Sequence, residues 1–164
     1  MAVTKEQFKQ TMSCWASGIT IITTKHEDGM LAMTASSFTS LSAEPPLILV
    51  AVNKTARIHP KIAEQKAFGV MILASNQEET SSCGAGFRGP EGNFLAGIAF
   101  HQKITGAPIL NDCLAWLDCS LYASHDAGDH TIYIGKIEAT GSQEGEPLLW
   151  YSRGYRRLAE EKLS

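Results

Sequence analysis

The side chains best suited to chemistry fall in one stretch, M-T-A-S-S-F-T-S-L-S-A-E-P-P-L-I-L-V-A-V-N-K-T-A-R-I-H-P, from Met33 to Pro60. It opens with the hydroxyls of Thr34, Ser36, Ser37 and Ser40, passes a double proline and an apolar run, and closes with Asn53, Lys54, Thr55 and Arg57. Hydroxyls and backbone N–H groups satisfy phosphate or ring oxygens, and cations balance the charge. These are the parts needed to hold a phosphate-bearing aromatic ligand, with the rest of the chain as support.

Composition narrows the class of protein. A chain of 164 residues is by default one domain, 1–164, and with 44% apolar residues it can build a core. The formal net charge of −3 and the lack of a basic stripe argue against a nucleic-acid surface. No apolar run reaches the ~18 residues of a membrane span, and the polar start M-A-V-T-K-E-Q-F lacks a signal-peptide core. The four cysteines, Cys14, Cys83, Cys113 and Cys119, form no C-x-x-C pair. A reduced, cytoplasmic protein without a metal site is expected.

The elements that must position the stretch can be read in order. Thr4 and Gln7 form a capping-box signature, and Phe8, Met12 and Trp15 follow at helical spacing, so a helix with one apolar face is expected, ended by Gly18. I-T-I-I-T-T from Ile19 reads as a strand, H-E-D-G at 26–29 as a hairpin turn centred on Asp28-Gly29, and 30–35 as the return strand. That return delivers Thr34, Ser36 and Ser37 to a loop at the sheet rim. Pro45-Pro46 forces an extended approach to 47–52, a strand buried on both faces. Residues 60–66 read as a short helix, 68–73 as another buried strand, and Asn76 as the cap of a helix through Q-E-E-T-S-S.

G-A-G-F-R-G, Gly84–Gly89, satisfies G-x-G-x-x-G, but no strand runs into it and Pro90-Glu91-Gly92 starts no helix, so it is rejected as a dinucleotide fingerprint. Residues 114–123 are strand-like, H-D-A-G-D-H at 125–130 is a tight polar turn, and 131–140 is a long β run with Gly135 as a bulge or close-approach point. A turn at 141–147 leads to a last strand, 148–151, and a charged tail. Strands joined by short turns, with few helices between them, indicate an antiparallel barrel.

Five ordered blocks then carry a resemblance: S-G-I-T-I-I-T-T at 17–24 with its D-G hairpin; T-A-S-S-F-T-S-L-S-A-E-P-P-L-I-L-V-A-V-N-K-T at 34–55; G-A-P-I-L at 106–110 with L-D-C at 117–119; G-D-H-T-I-Y-I-G-K-I at 128–137; and P-L-L-W-Y-S-R-G-Y-R-R-L at 147–158. Together they resemble the flavin reductase-like, FMN-binding split-barrel proteins, the short-chain NAD(P)H:flavin oxidoreductases that supply two-component monooxygenases. The resemblance implies a mainly β fold, a six-stranded antiparallel split barrel with a few flanking helices. It also implies a homodimer with flavin near the dimer interface, and hydride transfer from NADH or NADPH to FMN, or to FAD, for a partner monooxygenase. The chain departs from the family at Met71, where Asn is frequent, at Asn93 before Phe94, where a charge is frequent, and in the G-F-R-G-P-E-G loop.

Carried onto this sequence, the resemblance implies that Thr34, Ala35, Ser36 and Ser37 line the isoalloxazine ring, whose edge carbonyls and N–H want short polar partners and exposed backbone, with Met33 beside them as a further cofactor-binding residue. Ser40, Lys54, Thr55 and Arg57 are the phosphate candidates, since a phosphate monoester carries about −1.5 to −2 charges at neutral pH, and Asn53 can serve either as a ligand contact or as the strand terminator. His130 in G-D-H is the catalytic candidate: hydride transfer needs two rings held at contact distance, and a His can hydrogen-bond the nicotinamide carboxamide, with Asp129 to orient it. Tyr155 can cover the flavin or the dimer seam, and a plain core Tyr fits equally. Taken alone, Thr-Ser-Ser is an ordinary turn, Lys54 and Arg57 a solvated strand end, and His130 a turn residue. Trp15, Trp116 and Trp150 read as core. Cys83 has no activating neighbours in sequence. Two rival functions stay open, a non-enzymatic flavin-binding or electron-transfer protein and a flavoprotein that keeps its flavin.

Overall fold

The computed structural model describes residues 2–27, 29–86 and 97–159. Asp28 of the D-G hairpin and most of the glycine-rich 84–97 segment lie outside the described residues. In chain order the elements are α1 (Lys5–Met12), β1 (Ser17–Gly18), β2 (Thr20–His26), β3 (Gly29–Ala35), β4 (Phe38–Ala43), β5 (Pro46–Asn53), α2 (Ile58–Gln65), β6 (Ala67–Ile72) and α3 (Glu78–Gly84), followed by β7 (Phe100–Gln102), β8 (Pro108–Leu110), β9 (Ala115–Ala127), β10 (His130–Ser142), β11 (Leu149–Tyr151) and β12 (Gly154–Arg156). The fold is mainly β and antiparallel, with few helices.

The main sheet has seven strands in the order β3-β2-β6-β9-β10-β5-β4, where six were expected. The unforeseen member is β4, F-T-S-L-S-A, whose hydroxyl-rich sequence reads as loop. It pairs with β5 and leaves Thr39, Ser40 and Leu41 exposed at the sheet edge. A three-stranded sheet, β1-β11-β12, and the small β7-β8 pair complete the β structure.

The sheet buries apolar groups on both faces. Ile22, Leu31, Ile48, Val50, Val52, Phe68, Val70 and Tyr133 meet in one core that α2 closes with Ile58 and Ile62. The alternate residues Ile21, Met30 and Met71 enter a second core with Leu73, Ile109, Leu110 and Leu148. Strand side chains point to opposite faces in turn, so this alternation explains why β6 reads as an unbroken apolar run. The same rule gives β5 two unlike faces: Ile48, Val50 and Val52 are buried, whereas Leu49, Ala51 and Asn53 are only half-buried. Buried threonines bond across the sheet: Thr20 Oγ1 donates to Ala35 O (2.8 Å), Thr24 Oγ1 to Ala67 O (2.8 Å), and Thr23 Oγ1 to Pro108 O.

Gly135 fulfils both parts of its expectation. The β9–β10 register slips between Ile134 and Gly135, and a Cβ at Gly135 would lie 2.5 Å from Phe68 Cζ.

Several boundaries differ from the sequence reading. Helix α1 has the expected capping box but stops at Met12, not Gly18. The Ser13 hydroxyl turns back to Gln10 O (2.7 Å), and Ser17–Gly18 pairs with Leu149–Trp150 instead. The apolar face of α1 is not a core face: Phe8, Met12 and Trp15 are all exposed. Asn76 does not cap α3. Gln77 precedes the helix, its side chain accepting from Ala74 N (2.8 Å) and donating to Asp112 O. Residues 44–45 form a turn between β4 and β5. The polar turn at 125–130 shrinks to Gly128-Asp129, with Gly128 at φ +61°, because His125–Ala127 remain paired with β10. Residues 141–142 belong to β10. The strand at 149–151 is not the last, since Ser152 and Arg153, at φ +50° and +61°, turn the chain into β12.

Candidate functional site

β3 passes through the bend at Ser36-Ser37 into β4, the strand that pairs with β5. The Ser37 hydroxyl donates to Ala51 O (2.7 Å), fastening the bend to β5. In the β5–β10 ladder His130 lies opposite Asn53, so strand pairing alone brings position 130 to the rim that holds 33–37. The result is a cavity of about 410 Å³ lined by Met33, Thr34, Ala35, Ser36, Ser37, Ala51, Asn53 and His130. The ring-lining candidates, Asn53 and His130 thus converge although up to 97 positions separate them in sequence (130 − 33 = 97).

Two smaller cavities flank it. One of about 180 Å³ is walled by Ile19, Thr34, Ser36, Ser81, Ala85, Trp150 and Tyr155. Here Thr34 Oγ1 donates to Ser81 O (2.6 Å), and the Tyr155 hydroxyl lies 3.1 Å from the hydroxyls of both Ser81 and Ser82. Tyr155 stacks edge-on against Trp150 with ring centroids 5.2 Å apart. The other, of about 250 Å³, contains Met33, Arg57 and residues 84–86. A wider groove of about 860 Å³ opens from Ser36, Ser37 and His130 across α1, with Lys9, Trp15, Trp150 and Arg153 on its walls.

Ser40, Lys54, Thr55, Arg57 and Tyr155 are not in the lining of the central cavity. Asn53 Oδ1 accepts from both the N–H (2.9 Å) and the hydroxyl (2.7 Å) of Thr55, an Asx turn that leaves the amide nitrogen as its donor toward the cavity. Thr55 therefore braces Asn53 and is not itself a wall. Lys54 reaches away to Asp126, Nζ to Oδ2 3.2 Å. Ser40 pairs with Ile48, three register positions along β5 from Ala51, and lines none of these four cavities.

Two carboxylates tune this end of the sheet. Asp129 Oδ1 lies 2.6 Å from His130 Nδ1. That hydrogen bond, then the imidazole's charge, holds the Asp129 carboxyl below its ordinary value. With Nδ1 turned to Asp129, Nε2 is the ring atom left for a ligand. Asp126 is likewise lowered, first by the Thr131 hydroxyl and then by Lys54. Thr131 Oγ1 donates to Asp126 Oδ1 (2.8 Å) and lies 2.9 Å from His59 Nε2.

Sequence reasoning missed Ala51, Ser81 and Trp150. Trp150 and Trp15 were assigned to the core; the structure lines the groove with both, and Trp15 is 70% exposed. A signal for Trp150 existed: the W-Y-S-R-G-Y hairpin sets it opposite Tyr155. Ala51 carried none, since its importance lies in its backbone carbonyl and small size. Among the described residues no group of three or more His, Cys, Asp or Glu could hold a metal ion, and no helix is long and apolar enough to cross a membrane. The four thiols are unpaired, Cys14 exposed and Cys113 and Cys119 buried.

The flavin reductase like domain model matches residues 12–159. An NADH-dependent flavin reductase of Rhodococcus sp is 37% identical over 159 residues, covering 95% of this chain and 88% of that protein. The reductase component of a 4-hydroxyphenylacetate 3-monooxygenase from Thermus thermophilus is 39% identical over 156 residues, covering 94% and 97%. Among solved structures, the flavin reductase PheA2 in its native state superposes with a TM-score of 0.88 at 33% identity, covering 96% of this chain and all of that one. The chain belongs to the flavin reductase-like domain family.

Proposed function

We propose that this protein is an NADH-dependent flavin reductase that passes reduced flavin to a partner monooxygenase. One observation carries the reading: in a chain of this family, Met33–Ser37, Asn53 and His130 surround one cavity. The donor set fits a flavin. Short polar and backbone groups face the cavity as the pyrimidine edge requires, Thr34 and Trp150 border an adjoining apolar pocket, and the cations Lys54 and Arg57 follow Asn53 within four positions of the sequence. When bound, the flavin ring supplies the hydride acceptor.

The protein's own work is placement. Ser37, held to Ala51, fixes the rim that would hold the flavin ring. Asp129 holds the His130 imidazole by Nδ1, so that Nε2 would be the atom offered to a nicotinamide carboxamide. No side chain need move a proton, because hydride transfer between stacked rings depends on distance and alignment. Asn53 and the basic residues Lys54 and Arg57 would receive the flavin phosphate.

The reading includes a single domain, 1–164, acting in the cytoplasm as a homodimer. Exposure of Phe8 (59%) and Trp15 (70%) along the groove supports a second copy covering that face. The core shared by Met33 on β3 and Phe38 on β4 supports a split barrel closing between these two edge strands.

Steady-state oxidation of NADH with added FMN tests the activity. His130→Ala is expected to raise KM for NADH about tenfold, the worth of one oriented hydrogen bond, while FMN affinity stays within about twofold. Equal loss of both would remove His130 from the nicotinamide site.

A further inference from the structure

Lys54, which follows Asn53 in the chain, is not among the residues that line the cavity. Its ammonium is bound to Asp126 at 3.2 Å, and the lysine side chain is 38% exposed. Asp126 is held from the other side: Thr131 Oγ1 donates to its second oxygen (2.8 Å), and Thr131 is itself buried and 2.9 Å from His59 Nε2. The Lys54 N–H is tied to Asp129 O (2.9 Å), so the backbone at this position is pinned while the four-carbon stem can turn. Asp126 is thus a built partner on a fixed mount. A solvent-exposed pair of this kind is weak, and a phosphate dianion is the stronger partner for an ammonium.

We propose that Asp126 competes with the flavin phosphate for Lys54, and that this competition keeps the flavin exchangeable. Flavin binding then requires Lys54 to leave Asp126, and flavin release is assisted by its return. This suits a reductase whose product must depart. The inference rests on the phosphate lying at the Asn53 end, as in the reading above.

The test is a double-mutant cycle with fluorescence titration of FMN and of riboflavin, which lacks the phosphate. Asp126→Asn keeps an acceptor for the Thr131 hydroxyl and removes the charge. It is expected to tighten FMN about threefold to fivefold with riboflavin unchanged. That gain should vanish when Lys54→Ala is added, because the two residues act through one contact. A gain that survives Lys54→Ala would mean simple charge repulsion and would overturn the proposal. So would unchanged or weaker FMN binding in Asp126→Asn while Lys54→Ala still discriminates FMN from riboflavin. If Lys54→Ala affects both flavins equally, the phosphate reading itself fails, and the competition with it. Asp126→Ser, read the same way, stands in if the Asn variant does not fold.

Discussion

Strand β5 and helix α1 both carry apolar residues at regular spacing, and the protein uses them in opposite ways. Ile48, Val50 and Val52 are buried by the same chain, locked between β4 and β10, and their alternation leaves Ala51 and Asn53 on a cavity wall. Phe8 and Met12 on α1, with Trp15 beyond it, stay in solvent along the 860 Å³ groove, and no residue of α1 is buried. Periodicity states which residues share a face. It does not state what that face meets: a strand in mid-sheet has neighbours by construction, whereas a terminal helix has only what folds onto it.

Substitutions can break this contrast, beginning with the largest effect. Phe68→Ala, at the centre of the β-sheet core, should destabilise the protein by about 3–5 kcal/mol in urea unfolding. A loss below about 1 kcal/mol would mean that the core is not packed as described. Gly135→Ala should cost about 1–3 kcal/mol, because its methyl would press into the Phe68 ring. A neutral result would show that Phe68 can shift.

The buried thiols offer a third measure. Burial, then the neighbouring carboxylates, pushes Cys113 up to about 11 and Cys119 up to about 12, from an ordinary value of 9.0. The folded state therefore keeps protons that the unfolded chain gives up. This stabilisation is complete below pH 9 and declines as pH rises toward 11–12, by at most about 1.4 kcal/mol per unit for each thiol. Unfolding midpoints should fall between pH 8 and pH 10.5, and native alkylation at pH 8 should label Cys14 while sparing Cys113 and Cys119. Labelling of all four at equal rates would contradict the burial. The smallest effect belongs to α1: Trp15→Ala should change the stability of the isolated chain by less than about 0.5 kcal/mol. A larger loss, dependent on protein concentration, would assign the face to a second copy.

Much of the fold was legible because β2, β3, β5, β6, β9 and β10 carry strong β-branched or apolar patterns. β4 was not, since T-S-L-S belongs to an edge strand whose outer side chains need not be apolar. By residue type alone Thr34–Ser37 and His130 read as turn residues; the resemblance of their blocks singles them out, and strand pairing sets them around one cavity. The direction of Lys54 could not be read: nothing in N-K-T reveals that Asp126 arrives beside it through the β9–β10 hairpin. Ser40 was drawn in by its hydroxyl alone, and only the β4 register shows its distance from the rim.

The cavity takes its walls from both halves of the chain, with His130 and, in the adjoining pocket, Tyr155 among the last pieces to be added. A ribosome that has delivered Met33–Asn53 has made most of the rim but not the wall that His130 supplies. β10 must emerge before His130 can face Asn53, and β12 must follow before the Tyr155 hydroxyl can reach Ser81 and Ser82. A product cut short before β10 therefore lacks the His130 wall of the cavity, and one cut short before β12 lacks the Tyr155 wall of the adjoining pocket.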